Sequence, residues 1–262
     1  MGLSPSELDE LQTAVRLLET PGLATKISSF VGTPLEAGLK KLPESWHGTI
    51  STATRKSIEK ALDVALLTLD RKERTAPANL LHKVAVGVSG AAGGTFGLAA
   101  LAVELPVSTT IMLRSIADIA RSQGEDLGCA EARLQCVQVL ALGGPATGDD
   151  GAETSYFAAR AALSKAVSDA AAHLTRHGLS QQGAPALVRL ISQLSARFSI
   201  IVSEKAAAQA VPLVGALGGA AINTLFIAHF QNRGQGHFTV RRLERLHGKD
   251  EVRRHYERLS RD

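Results

Sequence analysis

"VSGAAGGTFGLAALAVELPVSTTIMLR", residues 88–114, decides the fold class. Its apolar residues show no strand-like alternation, and its glycines fall at Gly90/Gly94 and Gly93/Gly97, a spacing that lets two helix backbones approach closely. Residues 84–103 carry no charge, a run long enough to cross a bilayer. Its insertion-favouring side chains contribute roughly 2–4 kcal/mol against the opposing glycines, so a lipid span and a buried helical hairpin both stay open. Glu104 then interrupts the run two positions before Pro106. Its carboxylate either caps a second helix opened by Pro106 or sits at a kink beside Ser108, Thr109 and Thr110. In an apolar setting it needs a partner or a proton. Arg114 lies about 15 Å further along a straight helix and cannot reach it; its local partner is Asp118, at i+4. The candidate partners from elsewhere are Lys205 and Asn223.

Those two residues flank the second glycine-rich segment, in which Gly215/Gly219 repeats the close-packing spacing. Around both stretches the period is helical. Ser4-Pro5-Ser6 opens a helix stopped by Pro21-Gly22, an amphipathic helix is predicted over 50–69, and others over 129–142, 154–176 and 186–211. "GGPATGDDG" (143–151) and "GLSQQGAP" (178–185) punctuate them. Two charged helices, 238–247 and 249–260, close the chain around Gly248. The expected fold is an all-α helical bundle with two central glycine-rich hydrophobic segments, 84–123 and 206–230, packed together. The organisation expected is an N-terminal helical segment (1–48), a helical core (49–232) and a basic helical tail (233–262).

Charge supports that tail. Residues 233–262 hold nine Lys/Arg against five acids, so the net +4 of the chain lies entirely there. Arg241, Arg242 and Arg245 are the expected contacts to an anionic membrane surface or lipid; interleaved acids leave a merely solvated helix as the alternative. Nucleic acid is the weakest partner, since no base-reading motif accompanies Phe238 and Tyr256. Cys129 and Cys136 lie seven apart on one helix face and cannot bridge, and reduced thiols fit a cytoplasmic setting. The polar, acidic N-terminus reads as no secretory signal.

Chemical motifs are sparse. "GVSGA" (87–91) lacks the last glycine of a nucleophile elbow, His173 and His177 have no third ligand, and "GAAGGTFG" has no phosphate-cradle spacing. No metal or cofactor is expected, and an enzymatic role is the lesser expectation. His237, between Gly236 and Phe238, is the histidine that could join Glu104 as an acid/base pair.

"GAAGGTFGLAALAVELPVSTTIMLRSIADIARSQGEDL" (90–127), "VPLVGALGGAAINTLFIAHF" (211–230) and "GHFTVRRLERLHGKDEVRRHY" (236–256) together resemble the EcsC protein family. The resemblance rests on Glu104-Leu105-Pro106, Arg114, Pro212, Gly215, Asn223, and His237-Phe238 with Arg242-Leu243-Glu244, Gly248 and Tyr256. That family is named after a protein encoded beside a bacterial ABC transporter linked to secretion. The resemblance implies a bacterial, membrane-connected helical protein and transfers no catalytic residue. Two functions are therefore expected to compete: a non-enzymatic accessory or scaffold protein at the cytoplasmic face of a membrane, with a membrane-protein partner possible, and a lipid-binding module or hydrolase with a polar site around Glu104, Arg114 and Asn223.

Overall fold

The structure, a computed structural model, describes residues 2–19, 23–31, 44–69, 97–142, 155–178, 184–209 and 215–261. Among these the chain forms nine α-helices and no strand: α1 Pro5–Glu19, α2 Leu23–Val31, α3 Glu44–Thr68, α4 Gly97–Ser122, α5 Ala130–Gln138, α6 Ser155–His177, α7 Pro185–Gln209, α8 Gly215–His247 and α9 Lys249–Leu259.

Local chemistry accounts for the helix ends. Ser4 and Glu7 form a capping box at α1: Ser4 N donates to Glu7 Oε2 (2.7 Å), Glu7 N donates to Ser4 Oγ (3.3 Å), and Pro5 takes the first helical position, where its missing N–H costs nothing. Gly248 divides α8 from α9 at φ +87°, a backbone conformation side chains with a Cβ resist. Pro106 lies inside α4, which runs on through it, so Glu104 does not cap a new helix. There the hydroxyls bond to nearby carbonyls, Ser108 Oγ to Leu105 O (3.1 Å) and Thr110 Oγ1 to Pro106 O (2.8 Å).

Helices α4 and α8 pack side by side and run parallel, as successive contacts show: Gln231 Nε2 donates to Ser115 Oγ (2.8 Å), and further along Arg242 Nε donates to Gln123 Oε1 (2.9 Å). Helix α7 runs antiparallel to α8, with Phe198 against Phe230 (5.6 Å between ring centroids) and Lys205 against Phe226. Helix α3 packs along α4 and shares its C-terminal end, where Arg121 donates to Leu69 O (2.7 Å), so these two are parallel as well. The second half of α5 and the 3-10 turn Val139–Ala141 are enclosed on all sides: every residue from 134 to 142 is buried, the amides of Gln135 and Gln138 included.

The boundary expected at 232/233 falls inside α8. Residues 233–247 are not a separate tail but the second half of that helix, because two glycines admit its neighbours. A Cβ on Gly236 would lie 2.6 Å from Leu18 Cγ and 3.1 Å from Ala14 O of α1, and one on Gly234 would lie 3.4 Å from Ile116 of α4. Phe238, Val240 and Leu243 are consequently core residues, and α9 adds Val252 and Tyr256. Of the glycines expected to drive packing, Gly90, Gly93 and Gly94 lie outside the described residues; Gly97 opens α4, and Gly215 and Gly219 fall in the first turns of α8.

Candidate functional site: a buried ion pair and a hydrogen-bonded chain

The uncharged character of α4, α7 and α8 at one end of the bundle sets the context for Glu104. Its carboxylate accepts from Lys205 Nζ at 2.5 Å, with side-chain exposures of 6% and 0%. The ring of Phe226 lies against the ammonium, 4.6 Å from nitrogen to centroid, and packs with Phe198 and Phe230. Three helices therefore meet at one pair of charges. Burial lowers the Lys205 pKa from its ordinary value, and Glu104 opposes that shift by attraction and by hydrogen bonding. Such a pair is closed chemically: the acid occupies the base. Asn223 stands one turn before Phe226 on α8, and its Oδ1 is buried without a hydrogen-bond partner among the described residues, as is Thr109 Oγ1 on α4.

The other predicted polar residues lie elsewhere. Asp118 accepts from Arg121 (2.8 Å) rather than from Arg114, and Arg114 has no ion pair among the described residues. His237 follows Phe226 by eleven residues on α8, about 16 Å along the axis, and belongs to a second polar cluster.

That cluster is a chain of hydrogen bonds through the core. Arg160 grips Glu244 with both nitrogens (2.8 and 2.7 Å) and also donates to Tyr156 Oη (3.4 Å). Arginine only donates, so the tyrosine proton is directed to His237 Nδ1 (2.9 Å), and the His237 Nε2–H donates to Gln135 Oε1 (3.2 Å). The donors thus fix a neutral imidazole with its proton on Nε2. Burial first, and then Arg160 and Arg241, hold the His237 pKa well below its ordinary value; burial pushes Tyr156 up to about 12. Tyr156 stacks with Tyr256 (5.6 Å between centroids), whose hydroxyl donates to Glu19 Oε1 (2.8 Å) and so ties α1 to α9.

The arginines expected to contact anions face the protein's own acids. Arg241 donates twice to Glu125 (2.8 and 3.2 Å), Arg245 pairs with the same carboxylate and donates to Gln123 O (2.6 Å), and Arg242 joins Gln123 and Glu10. Burial disfavours the Glu125 carboxylate, yet the two arginines outweigh it and its pKa is lowered. Beside them a polar cleft of about 380 Å³ opens between α1, α4 and α8, lined by Asp9, Thr13, Ser122, Gln235 and Thr239 and bordered by Arg242. Among the described residues no group of three His, Cys, Asp or Glu is placed to hold a metal.

Sequence reasoning missed Tyr156, Arg160, Gln135 and Glu125. For Gln135 a signal existed, an amide within a stretch otherwise apolar enough to be enclosed; the others have ordinary amphipathic surroundings and become visible only when helices distant in sequence meet.

The EcsC protein family matches this chain over residues 6–243. The chain belongs to the EcsC family. No curated protein and no solved structure matches it significantly. The matched region contains the Glu104–Lys205 pair, and Gln135, Tyr156, Arg160 and His237 of the hydrogen-bonded chain, with Glu125 and Arg241; it ends just before Glu244 and Arg245.

Proposed function

We propose that this EcsC protein is a membrane-associated accessory or scaffold protein, docked on the bilayer by the end of the bundle at which α4 and α8 begin and α7 ends. The observation that carries this is the segregation of charge along the bundle. Beyond the Glu104–Lys205 level, the described parts of α4 (97–103), α7 (206–209) and α8 (215–228) contain no charged residue. The chain enters α4 and α8 through the uncharged sequences 84–96 and 210–214. The opposite end holds Glu7, Glu10, Glu125, Arg241, Arg242, Arg245 and His247.

On α4 one apolar stripe near that end faces outward, while Leu101 and Leu105 face the core. Val103 is 73% exposed and Val107 43%, one turn apart on one stripe, where water contact has a cost that lipid would relieve. Trp46, the only tryptophan, lies in the first turn of α3 beside this end and packs partly on the core. One described helix, α7 over 185–208, is long and apolar enough to cross a membrane, but Leu190, Leu194, Phe198, Ile201 and Val202 along it are packed in the core and Lys205 is buried against Glu104. That placement favours surface attachment over spanning. The Glu104–Lys205 pair then acts as a fastener that holds three apolar helices in register near the bilayer.

The test is co-sedimentation of the full chain with phosphatidylcholine vesicles containing 30% phosphatidylglycerol. The wild type is expected in the pellet, with a change in Trp46 emission, and Val103→Asp with Val107→Asp in the supernatant. A wild type that stays in the supernatant at every lipid concentration overturns the proposal.

A further inference from the structure

We infer that Lys56, Lys60 and Arg114 form a basic collar that recognises anionic phospholipid headgroups while Val103 on α4 enters the acyl region; the inference rests on the membrane reading above and names the lipid class. Three observations converge on it.

The first is availability. Lys56 and Lys60, one turn apart, are exposed on α3, and Arg114 is half-exposed on α4; none has an ion pair among the described residues. Glu59 and Asp118, the acids nearest to them in sequence, are held by Arg55 (2.9 Å) and Arg121 (2.8 Å), and Asp63 lies further from the apolar end. The C-terminal arginines, by contrast, are committed to Glu125, Gln123 and Glu10. Among the described residues, Lys56, Lys60 and Arg114 are thus unpaired cations on the two helices whose N-terminal ends lie at the apolar end, whereas the unpaired Lys249, Arg258 and Arg261 follow the far end of α8.

The second is depth. Helices α3 and α4 are parallel and share the end marked by the Arg121–Leu69 contact. At about 1.5 Å per residue, Arg114 lies about 10 Å from that mark, Lys60 about 13 Å, Lys56 about 20 Å, Val107 about 21 Å and Val103 about 27 Å. The cations are therefore set back from Val103 by about 7–17 Å. An interfacial apolar face sinks about 5–10 Å into the boundary of headgroups and acyl chains, which puts Lys56 at the phosphates and Lys60 and Arg114 just above them.

The third is direction. Side chains on a helix lean toward its N-terminus, which for both α3 and α4 is the apolar end. Long basic side chains on these helices extend toward the bilayer, with their stems over the apolar surface and their charges at the phosphates. The exposed Glu44 at the start of α3 lies on the same side and weakens the attraction without cancelling three cations.

The experiment compares wild type, a collar variant (Lys56→Gln, Lys60→Gln, Arg114→Gln) and a charge-matched α9 variant (Lys249→Gln, Arg258→Gln, Arg261→Gln) on vesicles of 0, 15 and 30% phosphatidylglycerol. All six positions are at least partly exposed and have no ion pair among the described residues, so equal thermal unfolding is expected. Each cation near an anionic surface strengthens binding about fivefold, so the collar variant is expected to bind the 30% vesicles on the order of 100-fold more weakly, with unchanged binding to neutral vesicles. The α9 variant is expected to lose less than about threefold. A collar variant that binds like wild type, or an α9 variant equally weakened, overturns the collar and leaves membrane attachment standing. Absence of wild-type binding to any vesicle overturns the membrane reading itself.

Discussion

Replacing Glu104 with Gln tests how much of the bundle hangs on one pair of charges. At 2.5 Å and an effective dielectric of about 20, the attraction between carboxylate and ammonium is about 6–7 kcal/mol, set against several kcal/mol for dehydrating each ion. The pair is therefore close to neutral as a whole, but Glu104→Gln removes the attraction and leaves the dehydration of Lys205, whose side chain is 0% exposed. The expected loss in urea unfolding at pH 7 is about 3–5 kcal/mol. The double variant Glu104→Leu, Lys205→Met removes both costs and is expected within about 1 kcal/mol of wild type, giving a coupling of several kcal/mol in the cycle. The pH dependence has a defined sign. In Glu104→Gln only burial acts on Lys205, so the folded form sheds the proton at lower pH than the unfolded chain does. Between the two pKa values the unfolded state binds more protons, stability rises with pH, and the deficit narrows on going from pH 7 to 9. A single variant that loses under 1 kcal/mol, or a double variant as unstable as the single, refutes the reasoning.

Two further outcomes follow from the packing and the second cluster. Gly236→Ala is expected to lose about 1–3 kcal/mol because its Cβ meets Leu18 Cγ at 2.6 Å, whereas Gly234→Ala, at 3.4 Å from Ile116, gains helix propensity at little steric cost and stays within about 1 kcal/mol; thermal unfolding separates them. His237 has its folded pKa depressed, so below pH 6.5 the unfolded chain binds a proton that the fold refuses. Its share of stability is complete above pH 6.5 and falls as the pH drops below that, by at most about 2 kcal/mol at pH 5, a slope expected to flatten by up to one proton in His237→Gln.

The helices were legible in the sequence because their apolar spacing is local: the α3 stripe of Ile58, Leu62, Ala65 and Leu69 needs no knowledge of its neighbours. That Glu104 requires compensation was also legible, from one charge inside an uncharged run. Which group supplies it was not, since Lys205 and Asn223 lie on either side of the same glycine-rich segment, and only the antiparallel pairing of α7 with α8 sets Lys205 over Phe226 and toward α4. The continuity of α8 was hidden by composition. Arg233, Arg241, Arg242 and Arg245 look like a solvated tail until Gly234 and Gly236 are seen to bring α4 and α1 against that helix. The His237 chain joins α5, α6 and α8, and sequence periodicity within one helix carries no information about such a meeting.

The account turns on which end of the bundle meets lipid, and a probe placed at each end tests it directly. Val103 and Leu246 are exposed (73% and 62%) near opposite ends of α4 and α8. Cys136 is buried, with its thiol pushed up to about 12 by burial, so replacing the exposed Cys129 with Ser leaves a background in which Val103→Cys or Leu246→Cys takes a single spin label. On addition of vesicles with 30% phosphatidylglycerol, the label at 103 should become accessible to oxygen and shielded from a water-soluble relaxation agent, while the label at 246 should remain in water. Shielding at 246 with 103 still in water, or no change at either end, contradicts the account.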